Sequence, residues 1–154
     1  MIINNTTQIY KSLQCHEYKF NSDTYHEAVK LREEILRKPL GLKWSAHDFD
    51  AEETSFHLGA FLGNKLIGTL ILRPRDENIL QMRQVAIAQE YQSQGIGSIL
   101  VQFAEQFAIE HGFTAMTAHA RESALQFYLK LNYQVIGEKF IEVGIPHYEI
   151  VKKL

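Results

Sequence analysis

Residues Gln81 to Ser98 read QMRQVAIAQEYQSQGIGS, in which a strand-like run ends at a turn that opens the clearest helical pattern of the chain. Gly95 and Gly97 let this turn bend tightly and expose backbone N–H groups. The helix start that follows adds unpaired donors and the positive end of a helix dipole. The stretch therefore predicts a binding site for a phosphate or pyrophosphate at the junction of strand and helix.

Two common phosphate-binding turns do not fit these residues. A P-loop ends in Gly-Lys followed by Ser or Thr, and residues 95–98 (GIGS) contain no lysine. A dinucleotide-binding turn needs a third glycine three residues after the second, where this chain has Leu100. Glycine also occurs in ordinary turns, so a strand-to-helix turn without any ligand stays open as an alternative.

Further elements extend from this stretch in the order β-α-β-β-β-α-β-α-β-β. Seven runs have the pattern of strands: Cys15–Phe20, Ser55–Leu62, Leu66–Leu72, Ile79–Ala88, Phe113–Ala120, Tyr133–Phe140 and Tyr148–Val151. Three segments have helical spacing: Thr24–Lys38, Ile96–Gly112 and Ser123–Leu131. A strand-helix-strand unit over residues 79–120 is typical of a right-handed crossover between parallel neighbours. We therefore expect an α/β fold, one domain over residues 1–154, with a mixed central sheet and helices packed on both faces.

Composition excludes several classes of protein. Sixteen basic and 18 acidic residues give a net charge of −2, which offers no general attraction to nucleic acid or anionic lipid. The single cysteine, Cys15, excludes an internal disulfide and a multi-cysteine metal site, and it indicates a reducing compartment, so we expect the cytoplasm. No apolar run is long enough to cross a membrane, and no two histidines have the i, i+4 spacing of helical metal ligands. No metal, nucleic acid or membrane is expected as a partner.

The pattern Gln92-x-x-Gly95-x-Gly97, after the strand at residues 81–87, resembles the acetyl-CoA signature of the GNAT superfamily of N-acetyltransferases. Residues 120–133 (ARESALQFYLKLNY) resemble the helix that follows in that family, with Asn132 where glycine is more usual. Residues 144–147 (GIPH) are similar to the ElaA-like branch. The resemblance covers most of the chain from Phe56 onward, and the first fifty residues match only loosely.

This resemblance implies a coenzyme site. In the family, the strand equivalent to residues 79–88 diverges from the next one, and the acyl group sits in the gap. Main-chain groups of Val85, Ala86 and Ile87 would bind the pantetheine arm of acetyl-CoA. The pyrophosphate would be held by the turn: Gln92, Ser93, Gln94, Gly95, Ile96, Gly97 and Ser98. Ala124, Phe127 and Tyr128 would line the thioester end, with the Tyr128 hydroxyl near the sulfur.

Acyl transfer to an amine needs a neutral amine, a stabilised oxyanion and a leaving thiol. A lysine-like amine with a pKa of about 10.4 is neutral about once in a few thousand molecules at pH 7, so a base is needed. We expect Glu142 or His147 to fill that role, with His119, His57 and an ordered water as alternatives. A backbone N–H near Ile87 would meet the oxyanion. Tyr128 would act as a donor to the thiol, or else be a core aromatic.

The sequence thus predicts an acetyl-CoA-dependent N-acetyltransferase that acts on a primary amine of a small molecule or protein, by direct transfer in a ternary complex. A non-catalytic CoA-binding regulatory module and a nucleotide-binding domain stay open as alternatives. The charge run Arg32-Glu33-Glu34 and Arg37-Lys38 is typical of a solvated face, or it borders the acceptor site. An edge strand near the C-terminus would support a homodimer.

Overall fold

Seven strands form one mixed sheet in residues 11–45 and 47–154, the part of the chain that the computed structural model describes. The strands are β1 (Leu13–Tyr18), β2 (Phe56–Leu62), β3 (Lys65–Pro74), β4 (Ile79–Ile87), β5 (Ala115–Arg121), β6 (Gln134–Glu142) and β7 (Ile145–Lys153). The helices are α1 (Asp23–Arg32), α2 (Ile96–Glu110) and α3 (Leu125–Lys130). The predicted order of strands and helices is confirmed. Within these described ranges, no helix has the length and apolar character needed to span a bilayer.

The strands lie in the order β1-β2-β3-β4-β5-β7-β6. β1 to β4 are antiparallel neighbours. β4 and β5 are parallel, because α2 returns the chain to the end of the sheet at which β4 begins. β7 then runs antiparallel between β5 and β6. The parallel pairing of the strands before and after α2, predicted from the sequence, is confirmed.

Helices cover both faces of the sheet. Successive strand side chains alternate between the faces, so β2 presents Leu58 to one face and Phe61 to the other. Leu58 belongs to the larger core, with Leu100 of α2 and Tyr128 of α3. Phe61 packs with Ala28 of α1 in a smaller cluster. The predicted arrangement of helices on both faces is thus confirmed.

Ser22, not Thr24, caps the start of α1. The Ser22 hydroxyl oxygen accepts a hydrogen bond from the Tyr25 N–H at 3.2 Å, the contact expected of an N-cap residue. The helix therefore begins at Asp23, one residue before the predicted start at Thr24. Ser22 and Thr24 both carry a hydroxyl group, and Ser22 has the extended backbone that an N-cap residue needs.

A buried ion pair fastens α1 to the segment that precedes β2. Arg32 is fully buried and donates to both carboxylate oxygens of Glu52, at 3.0 and 2.7 Å. The Tyr25 hydroxyl donates to the same carboxylate at 2.6 Å. After Arg32 the chain continues as a π-helical turn over Glu33–Arg37, and Arg37 is buried as well. The expectation that these two arginines lie on a solvated face is therefore wrong, since the returning chain covers them.

Residues around Gly144 form a tight β-hairpin, in the stretch 141–147 that the predicted strands leave unassigned. Val143 and Gly144 have positive φ angles of 47° and 74°, as a two-residue hairpin turn requires. Pro146 fits into β7 because β5 ends opposite His147, so the missing proline N–H leaves no bond to β5 unmade. His147 is consequently a strand residue that is only 4% exposed.

Candidate active site

The parallel strands β4 and β5 separate halfway along their length. Pairing joins Ile79–Met82 to Ala115–Ala118, whereas β4 continues to Ile87 and β5 to Arg121. Residues 83–87 therefore have no partner from β5, and their backbone groups border a gap in the sheet. An extended ligand can pair with such a strand edge as an added strand would. The gap is where the family resemblance implies it.

A β-bulge in β4 accompanies this separation. β3 has one residue, Leu70, where β4 has two, Gln84 and Val85. Gln84 takes up the extra length with a positive φ of 55°. A bulge bends its strand and increases the local twist, which turns the end of β4 away from β5. Ala86 packs its side chain with Leu31 of α1, so its main chain is the part that can meet a ligand in the gap.

The turn over residues 92–98 ends at the start of α2, where backbone donors lack acceptors within the helix. Ser93 and Gly95 have left-handed φ angles of 62° and 82°, and such turns gather successive N–H groups into an anion-binding concavity. The Gly95 carbonyl accepts the first helical bond, from the Ile99 N–H at 3.2 Å. The N–H groups of residues 96–98 precede this bond and have no acceptor within the helix. No side chain caps this helix start in the described chain.

Two glutamine side chains fix the shape of that turn. The Gln92 amide donates to the Ile87 carbonyl at 2.9 Å, and the Gln94 amide donates to the Glu90 carbonyl at 3.1 Å. The first bond ties the turn to the end of β4, and the second ties it to the short 3-10 turn at Gln89–Tyr91. Ile96 buries its side chain in the core. These three residues, predicted as coenzyme ligands, therefore use their side chains for structure.

The remaining residues predicted for the coenzyme divide between the turn and a cleft. Val85, Ala124 and Tyr128 line a cleft of about 460 Å³ between the gap in the sheet and the segment after α1. Phe127 lies outside the cleft beside the turn, where a Cβ atom added to Gly97 would come within 3.3 Å of its ring. Gly97 thus allows close packing of α3 against the start of α2.

The cleft brings together the three residues predicted to be catalytic. Tyr128 of α3, Glu142 at the end of β6 and His147 of β7 all line it, as does His119 of β5. His57, the remaining side-chain alternative for the base, lies outside the cleft in β2. Its Nε2 contacts the Glu52 carbonyl at 2.7 Å, and burial lowers the pKa of this histidine.

Glu142 connects the two histidines of the cleft. Its carboxylate oxygens lie 3.2 Å from His119 Nδ1 and 3.6 Å from His147 Nε2. The hydrogen bond between Glu142 and His119 raises the pKa of His119 and lowers the pKa of Glu142. His147 Nδ1 donates to the Ile145 carbonyl at 2.8 Å, since a carbonyl oxygen only accepts. Neutral His147 therefore has an unprotonated Nε2 beside a carboxylate that would stabilise added positive charge.

Tyr128 has a hydroxyl without a hydrogen-bond partner among the described residues, although the side chain is buried. Burial raises the pKa of Tyr128 to about 12. Its ring is held edge-on between Phe127 and Tyr133, with centroid distances of 5.0 and 5.7 Å. The ring is thus fixed by packing, and the hydroxyl stays protonated and available to a group in the cleft.

Arginines form a large part of the cleft wall, and the sequence analysis did not predict them. Arg37 lies in the segment after α1, Arg73 in β3, Arg75 directly after β3, Arg83 in β4 and Arg121 in β5. A sequence pattern was available, because arginines recur two residues apart at the end of β3 and a further one lies in the next strand. Such spacing places side chains on one face of a sheet.

Comparison with known proteins agrees with this geometry. A sequence profile described as the acetyltransferase (GNAT) family matches residues 12–133. The uncharacterized N-acetyltransferase YitI of Bacillus subtilis (strain 168) is 31% identical over 137 residues, which cover 85% of this chain and 89% of the relative. YjcF from the same organism, also named an uncharacterized N-acetyltransferase, is 27% identical over 133 residues, covering 86% and 94%. The chain therefore belongs to the GNAT acetyltransferase family.

Solved structures share the fold. A Lactobacillus plantarum protein superposes with a TM-score of 0.84 at 24% identity, covering 93% of this chain and 99% of that one. ElaA of Escherichia coli gives a TM-score of 0.78 at 13% identity, covering 91% and 99%. A GNAT family acetyltransferase from Elizabethkingia anophelis, with acetyl-CoA bound, gives 0.70 at 19% identity, covering 93% and 99%. The predicted family is confirmed, ElaA shares its fold, and acetyl-CoA is the coenzyme of this family.

Proposed function

We propose that this chain catalyses direct transfer of the acetyl group of acetyl-CoA to a primary amine of a small molecule or a protein, within a ternary complex. The observation that carries the proposal is the cleft beside the β4–β5 gap, which gathers His147, Glu142 and Tyr128. Acetyl-CoA supplies an activated acyl carbon when bound. The chain must then bind the coenzyme, remove a proton from the amine and help the thiolate depart.

His147 is the proposed base. A lysine-like amine with a pKa of about 10.4 pays about 4–5 kcal/mol to be neutral at pH 7, so proton removal is the larger part of the problem. His147 Nε2 can accept the amine proton because Nδ1 already donates to the Ile145 carbonyl. Glu142, 3.6 Å from Nε2, would stabilise the resulting imidazolium. His119, hydrogen-bonded to the other oxygen of Glu142, would hold the carboxylate in place.

Tyr128 is the proposed donor to the departing sulfur. As the carbon–sulfur bond breaks, the thiolate would accept a hydrogen bond from the Tyr128 hydroxyl, which has no described partner in the cleft wall. The amine proton goes to His147, the acetyl carbon gains its bond to nitrogen, and the thiolate leaves with the electron pair. A backbone N–H near Ile87 would meet the oxyanion.

The coenzyme would be bound mainly by main-chain groups. Val85, Ala86 and Ile87 border the gap and would pair with the amides of the pantetheine arm. The donors of residues 96–98 would hold the pyrophosphate at the start of α2. Ala124 and Phe127 would contact the thioester end and the turn, respectively. This division agrees with the observed use of the Gln92 and Gln94 side chains inside the turn.

Ligand-induced thermal stabilisation tests the coenzyme assignment. Acetyl-CoA at about 100 times its Kd stabilises the folded state by about 2.7 kcal/mol, and CoA does so nearly as well. For a chain of this size the Tm rises by about 5–10 °C. ATP and NAD should leave the Tm unchanged. A shift with either nucleotide and none with acetyl-CoA would support the nucleotide-binding alternative.

Release of the CoA thiol across a panel of primary amines tests catalysis. We expect release with part of the panel, and a fall in kcat of about 100-fold or more in His147→Gln, in keeping with the usual contribution of a general base. His26→Gln is a matched control, because His26 is exposed on α1 and does not line the cleft. Acetyl-CoA binding without turnover of any amine would favour the regulatory module.

Two further proposals concern the compartment of the protein and its oligomeric state. We propose that the protein works in the cytoplasm, which the single cysteine supports, and that two copies associate through β6. β6 is one edge of the sheet, and it exposes apolar side chains at Val135, Ile136 and Ile141. Such an edge can pair with a second copy.

A further inference from the structure

The cleft is lined by arginines and not by lysines. The chain has six arginines and ten lysines. Five of the arginines line the cleft, and none of the lysines, all of which are within the described residues, does so. The cleft wall has two carboxylates, Asp48 and Glu142. The side of the site that faces the acceptor is therefore rich in positive charge, although the whole chain carries a net charge of −2.

Three of the five arginines have structural contacts. Arg37 donates to Asp48 at 3.3 Å and lies over the Trp44 ring, with 4.5 Å between the guanidinium carbon and the ring centroid. Arg121 donates to the Leu36 carbonyl at 3.0 Å, which ties β5 to the segment after α1. Arg75 donates to the Gln81 side chain at 3.3 Å. Packing and local hydrogen bonds account for these three side chains.

Arg73 and Arg83 have no such contacts. Neither guanidinium forms a hydrogen bond or an ion pair with any residue in the ranges 11–45 and 47–154. Arg73 pairs with Gln81 in the β3–β4 register, and Arg83 pairs with Ile71. The two arginines are therefore diagonal neighbours on one face, with Cα atoms about 7–8 Å apart in such an arrangement.

This pair is electrostatically unfavourable by itself. Both side chains are half-buried, and burial, followed by the charge of Arg73, lowers the pKa of Arg83. Glu142 and Glu52 favour the charged form of Arg83, but Glu142 is hydrogen-bonded to His119 and Glu52 is paired with Arg32. Two like charges that are kept close together, with neither of them in an ion pair among the described residues, are what an anion-binding site provides. An anion between them would remove the repulsion and satisfy both donor sets.

Resting on the proposed function, we infer that the acceptor is an amine that also carries an oxyanion group, a carboxylate or a phosphate, and that Arg73 and Arg83 bind this group. Guanidinium favours such groups because its donors form a planar fork that matches two oxygens at once, whereas a lysine ammonium acts as a point charge. The anion would sit over β3 and β4 while the amine faces His147 across the cleft. The arginines thus select the substrate, and the histidine activates it.

Matched pairs of acceptors test this inference. The panel contains glycine and glycinamide, β-alanine and its amide, and O-phosphoethanolamine and ethanolamine. In the wild type we expect at least one anionic member to exceed its neutral partner in kcat/KM by about 10-fold or more. In Arg83→Gln and in Arg73→Gln that ratio should fall by about 10- to 100-fold, the usual range for losing a charge-assisted hydrogen bond. Lys19→Gln, an exposed charge change away from the cleft, should keep the wild-type ratio.

The outcomes separate this inference from the proposed function. Turnover of neutral amines with equal or higher kcat/KM in every pair would overturn the inference and leave the acetyltransferase activity standing. A rise in the KM of acetyl-CoA in Arg83→Gln, with the acceptor ratio unchanged, would assign the arginines to the coenzyme phosphates and also overturn it. Should no amine be turned over, calorimetric binding of the same anionic amines to the CoA-saturated protein decides. Binding at least 10-fold weaker in Arg83→Gln supports the anion site, and equal or absent binding refutes it.

Discussion

Replacing Tyr128 with Phe removes one hydroxyl from the cleft and leaves the ring in place. The ring contacts with Phe127 and Tyr133, at 5.0 and 5.7 Å, need no oxygen. The hydroxyl has no described hydrogen-bond partner, so its removal leaves no buried group unpaired. We therefore expect Tyr128→Phe to fold with wild-type stability while it loses the donor to the departing thiolate.

The size of the activity loss follows from two pKa values. Burial raises the pKa of Tyr128 to about 12, whereas a leaving thiol has a pKa of about 8.5. Full proton transfer to the thiolate would be uphill, so Tyr128 contributes a hydrogen bond to an anion and keeps its proton. Such a bond contributes about 1.5–3 kcal/mol, which corresponds to a fall in kcat of about 10- to 150-fold. The KM of acetyl-CoA should change little.

Tyr133→Phe should have the opposite effects, a loss of stability and an unchanged kcat. The Tyr133 hydroxyl donates to the buried Glu105 carboxylate at 2.8 Å, away from the cleft. Losing it should cost about 1.5–3 kcal/mol of stability, or a Tm lower by about 3–12 °C, with kcat unchanged. Steady-state thiol release and thermal unfolding of both variants complete the comparison. A Tyr128→Phe enzyme with wild-type kcat would refute the role proposed for the hydroxyl and assign the residue to the core alone.

Three other predictions concern the turn, the ion pair and the sheet edge. Gly97→Glu should abolish the Tm rise caused by acetyl-CoA, because a carboxylate at the start of α2 repels the diphosphate; a retained rise would contradict phosphate binding there. Glu142→Gln should lower the pKa of His119, measured by NMR titration, since that hydrogen bond raises it. The wild type should therefore exceed Glu142→Gln in stability by the largest amount between pH 4.5 and pH 6.5, the ordinary pKa values of Glu and His. This advantage is lost as the pH rises through the raised pKa of His119. Light scattering should find a dimer that Ile141→Lys dissociates, and a wild-type monomer would be the contrary result.

The sequence was informative where local chemistry decides the outcome. Apolar runs and glycine-containing turns predicted the strands β1 to β7 and the helices α1 to α3, because burial periodicity and positive φ are readable from residue types. Tyr128, Glu142 and His147 were predicted as site residues, and the fold places them around one cleft. The bulge at Gln84 was not predictable, since a glutamine with positive φ has no signature in composition. The pairing of Arg32 with Glu52 depends on a chain return of twenty residues, which no local pattern encodes.

The buried contact between Arg32 and Glu52 holds one wall of the cleft in place, independently of the residues that are proposed to bind the coenzyme. It anchors the π-helical turn, which supplies Leu36 and Arg37 to the cleft, to a segment outside the sheet. The backbone groups proposed to bind the coenzyme lie elsewhere, between the end of β4 and the start of α2. Exchanging residues 33–50 for those of another acetyltransferase, with the Arg32–Glu52 anchor and the arginines of β3 and β4 retained, should therefore change which amines fit beside the proposed anion site and leave binding of the acyl donor unchanged.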